Sequence, residues 1–183
     1  VSIGKRRRGP AAGASPLARV ATPAPREHFV RVADWGVERD AVLVTLGLGS
    51  CVAIMLHDAG AGLGGMAHVL LPSRRLSQDQ EHPAKFPETA VPFLISRLVA
   101  AGAERQRLVA KLAGGASMFA QLMTPGTIQM GERNIAACRA ALRAAAIPVV
   151  GEAVGGERGR SVRFYPADGR VESRTVGGDE IVF

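Results

Sequence analysis

Thr45-Leu46-Gly47-Leu48-Gly49-Ser50-Cys51-Val52-Ala53-Ile54-Met55-Leu56-His57-Asp58 runs into Ala59-Gly60-Ala61-Gly62 and returns through Gly64-Gly65-Met66-Ala67-His68-Val69-Leu70-Leu71-Pro72. The two apolar runs, Val52–Leu56 and Met66–Leu71, are short and rich in strand-compatible residues, and the segment between them carries turn chemistry. They read as a β-hairpin. With its centre between Ala59 and Gly60, antiparallel pairing sets Cys51 directly opposite His68, where Cβ atoms lie about 4.5–5.5 Å apart. A slip of one residue would put the pair on opposite faces, so the reading depends on register.

A thiol beside an imidazole is the equipment of a cysteine-nucleophile hydrolase. A free thiol titrates near about 8.5 and becomes a competent nucleophile at neutral pH when an adjacent imidazolium stabilises the thiolate. Cys51 is then the nucleophile and His68 the proton carrier. Thr45, at the end of its own strand, can present its hydroxyl or backbone carbonyl to the other imidazole nitrogen and fix the tautomer. Backbone N–H groups around Gly47, Gly49 and Ser50 are the candidates for receiving an oxyanion, because glycine lets the chain turn its amides inward. The remaining candidates read otherwise. Cys138 falls on the apolar stripe of a helix, His57 lies far along the hairpin from Cys51, and His28 and His82 read as solvated loop residues.

Outward from the hairpin, Phe29–Asp34 alternates like a half-buried strand and Ala41–Leu46 reads as a buried one. Arg74 to Lys85 is a polar loop beside the His68 strand, a candidate rim for a protein substrate. Val91, Leu94, Ile95, Leu98 and Val99 form a helical stripe, with Pro87 and Pro92 near its first turn and Gly102 stopping it. Leu108–Leu112 reads as a strand closed by Gly114-Gly115, and Ile135, Cys138 and Leu142 mark a second helix over Glu132–Ala146. Val149-Val150, Ser161–Tyr165 and Arg170–Val176 supply closing strands, and Gly155–Arg160 reads as a tight turn. The layout is α+β: mixed β-sheets in a layered sandwich flanked by two main helices.

The 183 residues, 47% hydrophobic, suffice for one core. Residues 1–26 hold six of the 23 basic residues and no acid, leaving 17 bases against 16 acids elsewhere, so +6 of the net charge of +7 belongs to the leader. That leader, 1–27, is basic and rich in Pro and Ala and reads as disordered, followed by a single domain over 28–183. Aromatics at 4% argue against a base-stacking nucleic-acid surface. No apolar stretch reaches the ~20 residues of a membrane span, and the leader lacks the apolar core of a secretory signal. Two cysteines imply no disulfide framework, and the scattered His and Cys form no metal-ligand spacing. A cytoplasmic protein without metal or cofactor follows.

The strings TLGLGSCVAIMLHD and GLGGMAHVLLP, with Lys85–Pro92, Lys111–Ala116, Gly131–Ile135 and Gly155–Arg160 in the same order, closely resemble the chemoreceptor glutamine deamidase family, CheD. The similarity runs from about His28 to about Asp168. Phe86-Pro87 departs from the more usual aromatic followed by a small residue, and the basic leader has no family counterpart. The resemblance implies a cysteine-hydrolase-like fold with Cys51 as nucleophile, His68 as general base and Thr45 as the third catalytic position. It also implies glutamine-to-glutamate conversion on methyl-accepting chemotaxis receptors, with a CheC-type phosphatase as a partner in some bacteria. The rival expectation is a non-catalytic module that binds and regulates a receptor or a CheC-type phosphatase.

Overall fold

A computed structural model describes residues 25–118 and 129–183. Ten strands are present among them: β1 (Glu27–Phe29), β2 (Trp35–Glu38), β3 (Val42–Leu48), β4 (Val52–Asp58), β5 (Leu63–Val69), β6 (Val109–Gly114), β7 (Val149–Val154), β8 (Arg160–Phe164), β9 (Val171–Thr175) and β10 (Glu180–Val182). Two helices, α1 (Pro87–Ala100) and α2 (Met130–Ala144), flank β6 in the chain. One sheet has the order β1-β3-β8-β9-β10, the other β2-β5-β4-β6-β7. Each is mixed, since β1 pairs parallel with β3, and β6 with β7, while every other pairing is antiparallel.

The molecule stacks in three layers: helices, second sheet, first sheet. Between the helices and the second sheet lie Val52, Ile54, Leu56, Ala67 and Val69 against Val91, Leu94, Leu98, Ile135, Cys138 and Leu142. Between the sheets lie Ala53, Met55, Met66 and Ala113 against Leu43, Leu48, Val162, Phe164 and Val171. Because β4 and β5 are covered on both faces, all seven positions of each are buried, which is why they read as continuous apolar runs and not as alternating ones. β8, central in the first sheet, alternates buried and half-buried positions, as a strand covered on one face does.

The hairpin register differs from expectation by two. Ala53 pairs with His68 and Asp58 with Leu63, so the turn is the four residues Ala59–Gly62, centred between Gly60 and Ala61. The cause is remote. Asp58 is fully buried and ends β4 by accepting from Arg107 Nε at 2.8 Å and Nη2 at 3.0 Å, from the Glu104 N–H at 2.8 Å and from the Ala61 N–H at 3.2 Å. Arg107 foremost, helped by the two amides and opposed by burial, holds its carboxyl far below the usual carboxylate range. An even slip preserves the face, so Cys51 and His68 stay on one side of the sheet as diagonal neighbours.

Other expectations shift as well. Phe29–Asp34 is no strand: β1 ends at Phe29, the chain turns with Ala33 in the left-handed region at φ 61°, and β2 begins at Trp35. β10 pairs with β9 beyond the three closing strands expected. Pro92 lies in the second turn of α1, and Gly102, at φ 105°, follows the helix end as expected. β1 begins at Glu27, inside the span expected to be leader, and residues 1–24 lie outside the described residues. Among the described residues no helix is long and apolar enough to cross a membrane.

Removing the Asp58 carboxylate leaves the Arg107 guanidinium and two amides without their acceptor. Asp58→Ala should lower unfolding free energy by about 2–4 kcal/mol in urea titrations at pH 7; a midpoint equal to wild type would contradict this account of the turn.

Candidate active site

β3 belongs to the first sheet and β4 to the second, so Gly49-Ser50-Cys51 carries the chain from one layer to the other. β3 prepares the crossing with an irregularity between Thr45 and Leu48, where Gly47 adopts φ 69° and is exposed with Leu46. A left-handed glycine in such a bulge sharpens the strand's bend. Cys51 emerges half-buried and packs against the core between the sheets, on the side occupied by Ala53, Met55 and Met66.

His68 is 1% exposed and faces that same interlayer space. Its main chain is gripped from β2's approach: Ala33 N–H donates to its carbonyl at 2.9 Å, and its own N–H donates to the Asp34 carbonyl at 3.0 Å. From the opposite sheet, Thr45 Oγ1 lies 2.8 Å from His68 Nδ1. Nε2 is buried and has no hydrogen-bond partner among the described residues. Thr45 therefore bridges the sheets at the imidazole, through its hydroxyl.

The charge state is not the expected ion pair. Burial pulls the His68 imidazole down to about 4, with the Val30 carbonyl pulling weakly the other way. Burial pushes the Cys51 thiol up, opposed by its own backbone N–H. At neutral pH both groups rest uncharged.

The crossing segment is held by its carbonyls. Ala116 N–H donates to the Gly49 carbonyl at 2.7 Å, Asn134 Nδ2 to Ser50 at 2.8 Å, and Gly115 N–H to Cys51 at 2.7 Å. No carbonyl among the described residues accepts from the Ser50 or Cys51 N–H. Gly114 makes the approach possible, for at φ 111° a Cβ there would stand 2.3 Å from the Cys51 carbonyl oxygen. Gly47 stands outside the three clamped peptides, while a Cβ on Gly49 would meet Met118 Cε at 2.6 Å.

Asn134, Gly114 and Gly115 had no part in the site read from sequence. Asn134 did leave a signal: it sits four residues before Cys138, a polar residue on the apolar stripe of α2, and it is fully buried. The Arg74–Lys85 loop contains two short 3-10 turns and is tied to the end of β5, where the Leu70 and Leu71 N–H groups both donate to the Lys85 carbonyl.

The other candidates fall elsewhere. Cys138 is buried in apolar surroundings that push its thiol well up. His57 donates from Nε2 to the Pro166 carbonyl at 2.9 Å. His28 is not in a loop but in β1, 2.9 Å from Glu38 through Nδ1. His82 precedes the Pro83–Lys85 turn. Gly155 and Gly156 turn the chain with positive φ, and Arg160 ends that turn by bonding the Ala153 and Gly155 carbonyls. Among the described residues no three His, Cys, Asp or Glu side chains gather as a metal site.

A family model described as CheD chemotactic sensory transduction matches residues 70–175. The chain is 44% identical over 159 residues to the probable chemoreceptor glutamine deamidase CheD of Moorella thermoacetica, covering 84% of this chain and 93% of that one. Similarity to the protein of the same description from Archaeoglobus fulgidus is 40% over 155 residues, 85% of this chain and 97% of the other. With the probable chemoreceptor glutamine deamidase CheD 2 of Geobacter metallireducens, identity is 47% over 136 residues, 74% of this chain and 84% of that one. Spans as long as the first two include residues 45–68 wherever they begin. Among solved structures, a Bacillus licheniformis hypothetical protein, YfiH, is similar at TM-score 0.41 and 15% identity over 72% of this chain and 60% of that one.

The buried imidazole has a consequence for stability. Its folded value of about 4 lies below the ordinary 6.5, so the unfolded chain takes up the proton first as pH falls. Stability from this group should be intact above pH 6.5 and decline between 6.5 and 4, by an amount on the order of 3 kcal/mol. Urea unfolding of wild type and His68→Gln at pH 7, 5.5 and 4 checks this: the difference between the two should shrink with falling pH, and parallel curves would contradict it.

Proposed function

The chain belongs to the CheD family, and we propose that it does what its relatives are named for: it deamidates glutamine side chains of chemoreceptors, releasing ammonia and leaving glutamate. The observation that carries the mechanism is the Thr45–His68 hydrogen bond at 2.8 Å, which occupies Nδ1 and leaves Nε2, on the face that Cys51 shares, without a partner among the described residues. With the Nδ1 proton donated to Thr45 Oγ1, Nε2 carries the lone pair of a general base.

In this reading the substrate carboxamide enters beside Cys51. His68 Nε2 takes the thiol proton while sulfur adds to the carboxamide carbon, and the carbonyl π electrons move to oxygen. The Ser50 and Cys51 N–H groups, from which no carbonyl among the described residues accepts, face the developing oxyanion. Collapse of this adduct breaks the C–N bond; the amide nitrogen takes the proton from His68 and departs as ammonia, leaving a thioester. Water then gives a proton to Nε2 as its oxygen adds to the thioester carbon. Expulsion of the thiolate, which recovers that proton, yields glutamic acid, ionised at neutral pH.

A neutral resting pair suits this sequence. The imidazole is unprotonated at pH 7 and ready to act as base, taking the proton as sulfur adds to the carboxamide. The substrate is a chemoreceptor by the relatives' names, and the anchoring of the Arg74–Lys85 loop at the end of β5 supports reading it as a rim for that protein. Free Cys51 and Cys138 thiols fit a reducing, cytoplasmic setting. A CheC-type phosphatase as partner rests on family resemblance.

Mass spectrometry of receptor co-expressed with the protein should find amide-to-acid conversion at particular glutamines. Cys51→Ala should abolish it, His68→Ala should slow it about 10²–10⁴-fold, and Thr45→Val about 10-fold. Conversion that persists in Cys51→Ala would overturn the nucleophile; binding of receptor without conversion by wild type would favour a regulatory module instead.

A further inference from the structure

The nucleophile segment is held by two main-chain donors and one side chain, and the side chain is the informative member. Asn134 is fully buried on α2, 84 residues from Ser50 in the chain, and its Nδ2 donates to the Ser50 carbonyl at 2.8 Å and to the Leu70 carbonyl at 3.1 Å. Its Oδ1 is buried without a partner among the described residues. Turning the amide over would face that oxygen against two carbonyl oxygens, so the orientation is dictated by the two acceptors. The unpaired Oδ1 is unfavourable, and it is offset by the two carbonyls that an apolar residue here would leave without a donor.

A trans peptide points its C=O and the following N–H in opposite directions, and no cis peptide occurs among the described residues. Whatever fixes the Ser50 carbonyl therefore fixes the Cys51 N–H. The peptides on either side are fixed by Ala116 and Gly115, whose main-chain donors survive any side-chain replacement. The middle peptide alone depends on a side chain, and its N–H is the one beside the attacking sulfur.

We propose that Asn134 is a positioning residue: by holding the Ser50 carbonyl toward α2, its amide aims the Cys51 N–H at the oxygen that becomes negative during acyl transfer. The second bond, to Leu70, ties that peptide to the strand carrying His68 two residues earlier, so nucleophile segment and base strand share one clamp. The inference rests on Cys51 being the acyl acceptor of the proposed reaction. It adds that the geometry receiving the oxyanion is set from the helix layer, and not from the glycines of the crossing segment alone.

Two reagents separate this role from structural support. p-Nitrophenyl acetate acylates a thiol through an oxyanion: sulfur adds to the ester carbon, and collapse expels p-nitrophenolate while the thiol proton goes to solvent. Iodoacetamide alkylates the same thiol by displacing iodide, with no oxyanion. Rates at Cys51 are measured for wild type, Asn134→Leu and Asn134→Ser, with Cys51→Ala as the blank for Cys138. Asn134→Leu should slow acylation about 10–100-fold, below the loss reported for deleting an oxyanion donor outright, and leave alkylation within about threefold. If Asn134→Leu does not fold, the smaller Asn134→Ser decides by the same comparison. Equal acylation in wild type and a folded variant would overturn the proposal. So would parallel loss of both rates, or failure of both variants to fold, since either makes Asn134 a structural support. A wild type that is acylated normally but leaves receptor glutamines intact would overturn the receptor assignment, while Asn134 is still judged by the two rates.

Discussion

The chain changes sheets at Gly49-Ser50-Cys51, and that crossing is the constraint on which the site depends. A peptide leaving one sheet for another loses the ladder partners of both, and its polar groups sit too deep for water to replace them. Here two of the carbonyls are met by the Gly115 and Ala116 N–H groups just after β6, and the third by Asn134 from α2. The N–H groups of the same peptides are then turned outward by covalent geometry. A solution to a folding problem thus leaves donors pointing where a reaction can use them.

The same economy of position governs the imidazole. His68 sits in the second sheet, is gripped along its main chain by the residues leading into β2, and meets Thr45 from the first sheet. Its ring is a pin between layers. Burial between sheets keeps it neutral, and a neutral ring with one nitrogen occupied has one direction in which to act. Stability and chemistry draw on one placement, which explains why so few residues need to be special.

Much of this was legible in the sequence. The hairpin itself and the shared face of Cys51 and His68 follow from short apolar runs around a glycine-rich turn, and the Thr45 hydroxyl was one of two contacts that its place before Cys51 allowed. The register was off by two because turn length is set by Asp58, whose partners Glu104 and Arg107 lie more than 40 residues away. The expected strand at Phe29–Asp34 gave way to a turn because the chain must drop from the first sheet to the second, taking Ala33 into a conformation that alternation does not reveal. β10 is three exposed residues after paired glycines, too short and too polar in setting to announce itself. Asn134 was visible as a polar residue on an apolar stripe, but its meaning depends on partners 64 and 84 positions distant. Local pattern reports which face a residue occupies, and only tertiary structure reports what waits there.

The uncharged resting thiol has one further consequence. Peroxide attacks thiolate far faster than thiol, and the first oxidation step, to sulfenic acid, is the entry to irreversible loss. Burial that raises the Cys51 value keeps thiolate scarce. A sulfur held as thiol is a poor target for peroxide, so the burial that shapes this crossing also shelters its cysteine from oxidation.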